Sequence, residues 1–147
     1  MSIRLNHNSA ALRVCVDRAE QGRISGRVFG QRLVRPIVFT DIGDLLLQVE
    51  AVLDAQNFPQ AFQRVRTFVP GKMEQQPPAA LGVEDGIPAG EVAAAAGQVT
   101  TFLLSVVTRR NTTWQGYLEW LDSGERQEFE SVLELLKLTD QHVFRQN

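Results

Sequence analysis

Ile24-Ser25-Gly26-Arg27-Val28 and, ninety residues further on, Trp114-Gln115-Gly116-Tyr117-Leu118 read as two versions of one strand. Both alternate between an inward and an outward face with period two, and both carry glycine at the centre. A glycine inside a strand marks a bulge or the close approach of another element. Its recurrence points to close packing, by the helix that follows each hairpin. The offset runs on without a gap: Leu12, Val14, Val16, Phe39, Ile42, Leu45, Leu46 and Leu53 fall on Phe102, Leu104, Val106, Phe129, Val132, Leu135, Leu136 and Val143. Turn lengths drift readily between unrelated units, so the unbroken register reads as an internal duplication. Matching architecture without common ancestry is the alternative.

Each unit reads as strand, turn, strand, helix. Strands are expected near 11–18, 23–30, 100–108 and 113–121, and helices near 41–56 and 125–142. Thr40-Asp41 supplies a helix N-cap, with Asp44 in the first turn. Phe39 precedes the cap and can staple onto that turn. Ile42, Leu45, Leu46, Val49, Val52 and Leu53 follow at helical spacing. In the second unit Phe129, Val132, Leu133 and Leu136 form the equivalent stripe, widened by Leu135 and Leu138. Asn57-Phe58-Pro59-Gln60 opens a short helix, capped by Asn57 and faced by Phe58, Phe62 and Val65. Residues 70–99, with Pro77-Pro78 and Ile87-Pro88-Ala89-Gly90, read as a long exposed connection with one helical turn at Glu91–Ala96.

The fold expected is α+β in a single domain, 1–147. Unit one spans about 11–56, a short helix and flexible linker about 57–99, and unit two about 100–146. The two units form a four-stranded antiparallel sheet with both helices on one face. A chain of 147 residues, 44% hydrophobic and 22% charged, is ordinary globular composition. No apolar run nears the ~20 residues that span a bilayer. The first six residues lack the apolar core of a signal peptide. A lone cysteine, Cys15, excludes an intramolecular disulfide and fits a reducing compartment, so a cytoplasmic location is expected.

Net charge is −2, which argues against bulk nucleic-acid affinity. Yet residues 1–35 hold seven arginines against Asp17 and Glu20. Such asymmetry can mark an anionic partner; arginines on the wet face of strands, with acids at helix starts and in the linker, are the favoured account. Catalysis is poorly supplied. His7 and His142 each lie near a terminus, and His142 reads as a surface side chain beside Asp140. Cys15 has no histidine near it in sequence to form thiolate. No spacing matches a zinc or calcium site, and no glycine-rich phosphate loop appears. No catalytic residue, metal or cofactor is expected.

Asn111-Thr112-Thr113-Trp114-Gln115-Gly116 is similar to the second signature of PilZ domains, Asp/Asn-x-Ser-x-x-Gly, which binds cyclic di-GMP; Arg23 and Arg27 match the family's Arg-x-x-x-Arg. Threonine stands here for serine, the arginines lie 84 residues upstream, and a hairpin turn followed by a strand explains every residue. No site residue is carried over. The tail Asn-x-Thr-Trp-Gln-Gly-x-x-x-Trp followed by Phe-x-Ser-x-Leu-Glu-Leu-x-Lys-Leu, from Asn111 to about Asp140, resembles a group of uncharacterised bacterial proteins. That resemblance implies no activity.

The open face of the sheet is left as the candidate surface. It carries Arg13, Cys15, Arg23, Ser25 and Arg27 from the first unit and Leu103, Ser105, Val107 and Tyr117 from the second. Exposed aliphatics with an aromatic favour a protein partner. The expected function is a non-enzymatic interaction module that self-associates as a homodimer or binds a partner, through Leu103, Val107 and Tyr117. The alternative is nucleic-acid binding by the arginine-rich first hairpin, using Arg13, Arg23, Arg27, Arg109 and Arg110.

Overall fold

The computed structural model describes residues 7–60 and 77–144. A short helix α1 (His7–Ala10) leads into β1 (Leu12–Glu20), β2 (Arg23–Phe29), β3 (Ile37–Phe39) and α2 (Ile42–Gln56). A single turn of 3-10 helix at Val83–Asp85 and a short helix α3 (Ala89–Ala94) follow. The chain then runs through β4 (Thr100–Thr108), β5 (Gln115–Trp120), β6 (Arg126–Phe129) and α4 (Val132–Phe144). The expected four-stranded sheet of strand-strand-helix units is overturned. There is one six-stranded antiparallel sheet in the order β3-β2-β1-β4-β5-β6, and each half contributes three strands before its helix.

The missing strands are the two edges. Phe39 lies in β3, where it pairs across to Gly26. Phe129 is not the start of a helical stripe; it pairs across to Gly116. Chain that was expected to open the second helix at about 125 is therefore strand as far as Phe129, and α4 begins at Val132. Short edge strands limit the row of unpaired backbone groups that a stray chain could join. Gln48 Nε2 covers the β3 edge further by donating to the Val38 carbonyl at 2.9 Å.

Both glycines are required by the backbone of the neighbouring strand, not by a helix. A Cβ on Gly26 would lie 1.9 Å from the Cys15 carbonyl oxygen, and one on Gly116 would lie 1.9 Å from that of Ser105. The cause is a bulge in each long strand, between Val16 and Arg18 and between Val106 and Thr108. A bulge turns its carbonyl out of the ladder and bends the strand, so the residue opposite cannot carry a side chain. Helix starts agree at the same offset. Asp44 N donates to Asp41 Oδ1 and Thr40 N to Asp44 Oδ2; Glu134 N donates to Ser131 Oγ and Glu130 N to Glu134 Oε1. Each is a variant of the capping box in which the returning carboxylate accepts from the residue before the cap.

Both long helices cover the face that holds Val14, Val16, Ile24 and Val28 with Phe102, Leu104 and Leu118, all buried. In α4 the buried line runs through Leu135 and Thr139, while Leu133 is 61% exposed, contrary to its expected place in the stripe. Asn57 caps no second helix; it ends α2 in the left-handed region, its N–H on the Asp54 and Leu53 carbonyls. The rest of the helix expected there, with Phe62 and Val65, lies outside the described residues.

The second hairpin grips α2. Trp114 is buried and its indole N–H donates to Glu50. Arg109, 4% exposed, donates to the Pro59 carbonyl at 2.7 Å and to Asp54 Oδ1 at 2.6 Å. Trp114→Ala is expected to cost about 3–5 kcal/mol, because it removes a buried ring that the core cannot refill. Trp114→Phe should recover much of that loss. Denaturant midpoints for both variants check this, and an unchanged midpoint for the alanine variant would mean that the ring contributes nothing to the core.

Candidate functional site

The face away from the helices divides along its middle. Cys15 points there by alternation between Val14 and Val16, yet its exposure is 0%. Its four neighbours on that face are Arg13 and Asp17 along β1, Arg27 on β2 and Thr101 on β4. Each is bonded to one of four consecutive residues of the segment leading into β4. Arg13 Nε donates to the Ala95 carbonyl at 2.5 Å, and Arg27 Nη2 donates to that of Ala96 at 2.9 Å. Gly97 N donates to Thr101 Oγ1 at 2.9 Å, and Gln98 N donates to Asp17 Oδ1 at 3.2 Å. Residues 95–98 therefore form a strap laid over Cys15. Gly97 fits because it has no side chain: a Cβ would meet the Thr100 and Val16 carbonyls at 2.4 Å.

Upstream, the same connection is tied to the first unit. Ile87 is buried and donates its N–H to the Leu33 carbonyl at 2.8 Å, while Ala80 is buried and donates to that of Arg32 at 2.9 Å. Within residues 77–99, Ala80 and Ile87 are thus fastened to the first unit. The helical turn is at Ala89–Ala94.

The arginines expected to bind nucleic acid are mostly committed elsewhere. Arg13 and Arg27 hold the strap, and Arg27 also pairs with Asp17 at 2.9 Å. Arg109 is buried under α2. Arg23 and Arg110 are exposed, at the tips of the first and second hairpins. Because β1 and β4 pair antiparallel through Leu12–Leu104 and Val16–Thr100, those tips project from opposite ends of the sheet. At ~3.3 Å per residue they stand roughly 40 Å apart.

Over β4 and β5 the face is only partly covered by the described residues. Leu103 and Tyr117 are half-buried there, and Val107, at the β4 bulge, is 41% exposed. Between this floor and α3 lies a cavity of about 210 Å³ lined by Leu103, Ser105, Tyr117, Val92 and the charged Arg13, Glu119 and Arg126. The Arg126 guanidinium sits over the Tyr117 ring at 4.1 Å and touches Glu119 at 3.5 Å. The structure thus brings Leu103 and Tyr117 together with Arg13, and leaves Val107 beside the cavity. Sequence reasoning missed Glu119 and Arg126, since Arg126 was assigned to a helix.

A second polar cluster forms where α4 meets β5. His142 stacks on Trp120 with ring centroids 3.6 Å apart and planes at 7°. Its Nε2 lies 3.0 Å from Asp122 Oδ2, which also accepts from Thr100 Oγ1 at 2.8 Å. In hydrolase triads the imidazole stands between hydroxyl and carboxylate. Here the carboxylate is in the middle, so the hydroxyl proton is directed away from the imidazole and the cluster fastens the helix. His142 is not the plain surface residue expected from its position. Among the described residues no group of three or more His, Cys, Asp or Glu side chains could hold a metal ion, and no helix is long and apolar enough to cross a membrane. No family model, curated protein or solved structure matches the chain.

Burial pushes the Cys15 thiol up, against the opposing pull of Arg27 and Arg13. Cys15 should therefore resist thiol reagents in the native protein, and Gly97→Val should open it to them by displacing the strap. Equal labelling rates for both would show that the strap does not guard the thiol. The Arg27 hydrogen bond holds the Asp17 carboxyl below its ordinary value. A depressed carboxylate stabilises the fold above its unfolded-state pKa and loses that contribution as pH falls through the folded one. Stability should hold steady well above pH 4 and drop below about 3.9, with a smaller drop in Asp17→Asn. Denaturation midpoints across that range test the sign.

Proposed function

We propose that the protein is a non-enzymatic interaction module that docks a second copy of itself through the outer face of β4 and β5. The observation that carries this reading is the unequal covering of that face. The strap closes the half built on β1, whereas among the described residues Val107 stays exposed and Leu103 and Tyr117 only half-buried on the other half. An exposed aliphatic strand face is an aggregation hazard unless something covers it. The surrounding charges suit a second copy. Arg126 lies beside Glu119 and, on the same strand, Glu128, so both signs are present within one patch. A twofold interface uses one patch twice and needs such self-complementarity. The lone buried cysteine is consistent with a cytoplasmic setting.

Nucleic-acid binding loses most of its support. Of the five arginines in that reading, three are engaged in holding the fold, and the remaining two do not converge.

Leu103→Lys combined with Val107→Glu should convert a wild-type dimer into a folded monomer in sedimentation velocity, with unchanged far-ultraviolet dichroism. Both residues are outward or at the bulge, so the core is untouched. A wild-type protein that stays monomeric at concentrations of roughly 100 µM would defeat the self-association reading. Titration with single-stranded and duplex oligonucleotides should show no salt-dependent binding; affinity with a steep salt slope would restore the alternative.

A further inference from the structure

The cavity between β4, β5 and α3 is complete within one chain, and its chemistry is more specific than docking requires. Its volume is about 210 Å³. That is smaller than the roughly 300–1,000 Å³ typical of pockets for whole metabolites, but larger than the ~150 Å³ cavity that takes benzene. The floor and one wall are apolar, from Leu103 and Val92, with the Tyr117 ring beside them. Two guanidiniums line it against one carboxylate. Arg13 is oriented by its Nε bond to the Ala95 carbonyl. Arg126 is oriented by the face of Tyr117 at 4.1 Å. Its link to Glu119 is long, at 3.5 Å, with the Glu119 side chain 36% exposed. A sound charge-assisted bond is nearer 2.7–2.9 Å, so a better-placed carboxylate can take the guanidinium from Glu119.

We infer that this cavity is a binding site for a single apolar residue-sized group carrying one carboxylate, with the body on Leu103, Val92 and Tyr117 and the carboxylate on Arg126. Such a group is either a free small acid or the C-terminal residue of a polypeptide, and the two share the same chemistry at the site. The inference goes beyond self-association and does not require it.

The test uses the uniformly ¹⁵N-labelled full chain and four probes: N-acetyl-L-leucine, its amide, and a pentapeptide ending in leucine with a free or an amidated C-terminus. The free carboxylates should produce saturable shifts at the backbone amides of Leu103, Ser105 and Tyr117. The amidated probes should bind at least roughly tenfold more weakly, as loss of a charged fork contact implies. Arg126→Gln, at an exposed side chain, should weaken the free acids to the same degree, and Arg23→Gln should not. Tighter binding of the free-ended peptide than of N-acetyl-leucine assigns the site to polypeptide C-termini, and equal binding assigns it to small acids. No saturable shift up to about 10 mM, equal binding of acid and amide, or shifts elsewhere on the sheet would overturn the inference. A wild-type monomer in sedimentation defeats only the docking reading.

Discussion

The structure depends on one pairing, that of β1 with β4. Five residue pairs, from Leu12–Leu104 to Val16–Thr100, join two three-stranded meanders into a single sheet. Val14 and Phe102, opposite each other at its centre, are both buried. Because the pairing is antiparallel, each hairpin runs away from the other, and each half presents its tip at a different end. A three-stranded sheet under one helix is close to the smallest unit that can hold itself together. Joining the halves gives both helices a common floor. It also lets the second hairpin reach across to α2 through Trp114 and Arg109.

Much of this was legible where side chains carry the information. The alternation in β1, β2, β4 and β5 and the helical spacing of Ile42 to Leu53 follow from burying one face, so sequence pattern and structure agree. The edge strands were not legible for the opposite reason. β3 is three residues long, and β6 reads Arg-Gln-Glu-Phe, with only Phe129 buried. β3 is too short and uniformly apolar, and β6 too polar, to show a period. The clue lay in the pairing of an aromatic with a glycine. Phe39 and Phe129 share an offset with Gly26 and Gly116, and in each half the ring lies opposite the residue that the bulge strips of its side chain. A glycine that leaves a gap on a sheet is commonly covered by an aromatic from the next strand. That reasoning links the two positions, whereas a staple or a helical stripe treats them separately.

The strap was hidden for a different physical reason. Its partners on the sheet are side chains, but all four of its bonds use its own backbone, three of them at alanine or glycine. Small side chains look like absence of structure in a sequence. Here they are what lets the backbone approach the sheet, most tightly at Gly97. The same bonds explain why the arginines of the first hairpin misled. A guanidinium offers five donors in a fixed fork; Arg13 turns one to the Ala95 carbonyl, and Arg27 divides its own between the Ala96 carbonyl and the Asp17 carboxylate.

Arg32 takes this use of arginine furthest. It is 1% exposed and donates to Gln56 Oε1, the Ala10 carbonyl and the Phe58 carbonyl. Burial, aided by the charge of Arg109, lowers its pKa to about 10, so it remains a cation at neutral pH. A buried charge is tolerated only where dipoles replace lost water. Arg32 and Arg109 both lie at the C-terminal end of α2, where the helix dipole is negative and the last carbonyls need donors. The positive charge of the first 35 residues is therefore partly internal, serving a helix end. Counting arginines overstates the field that a partner would meet. On the other half of the sheet Arg126 and Glu119 leave their charges at the surface beside Leu103 and Tyr117.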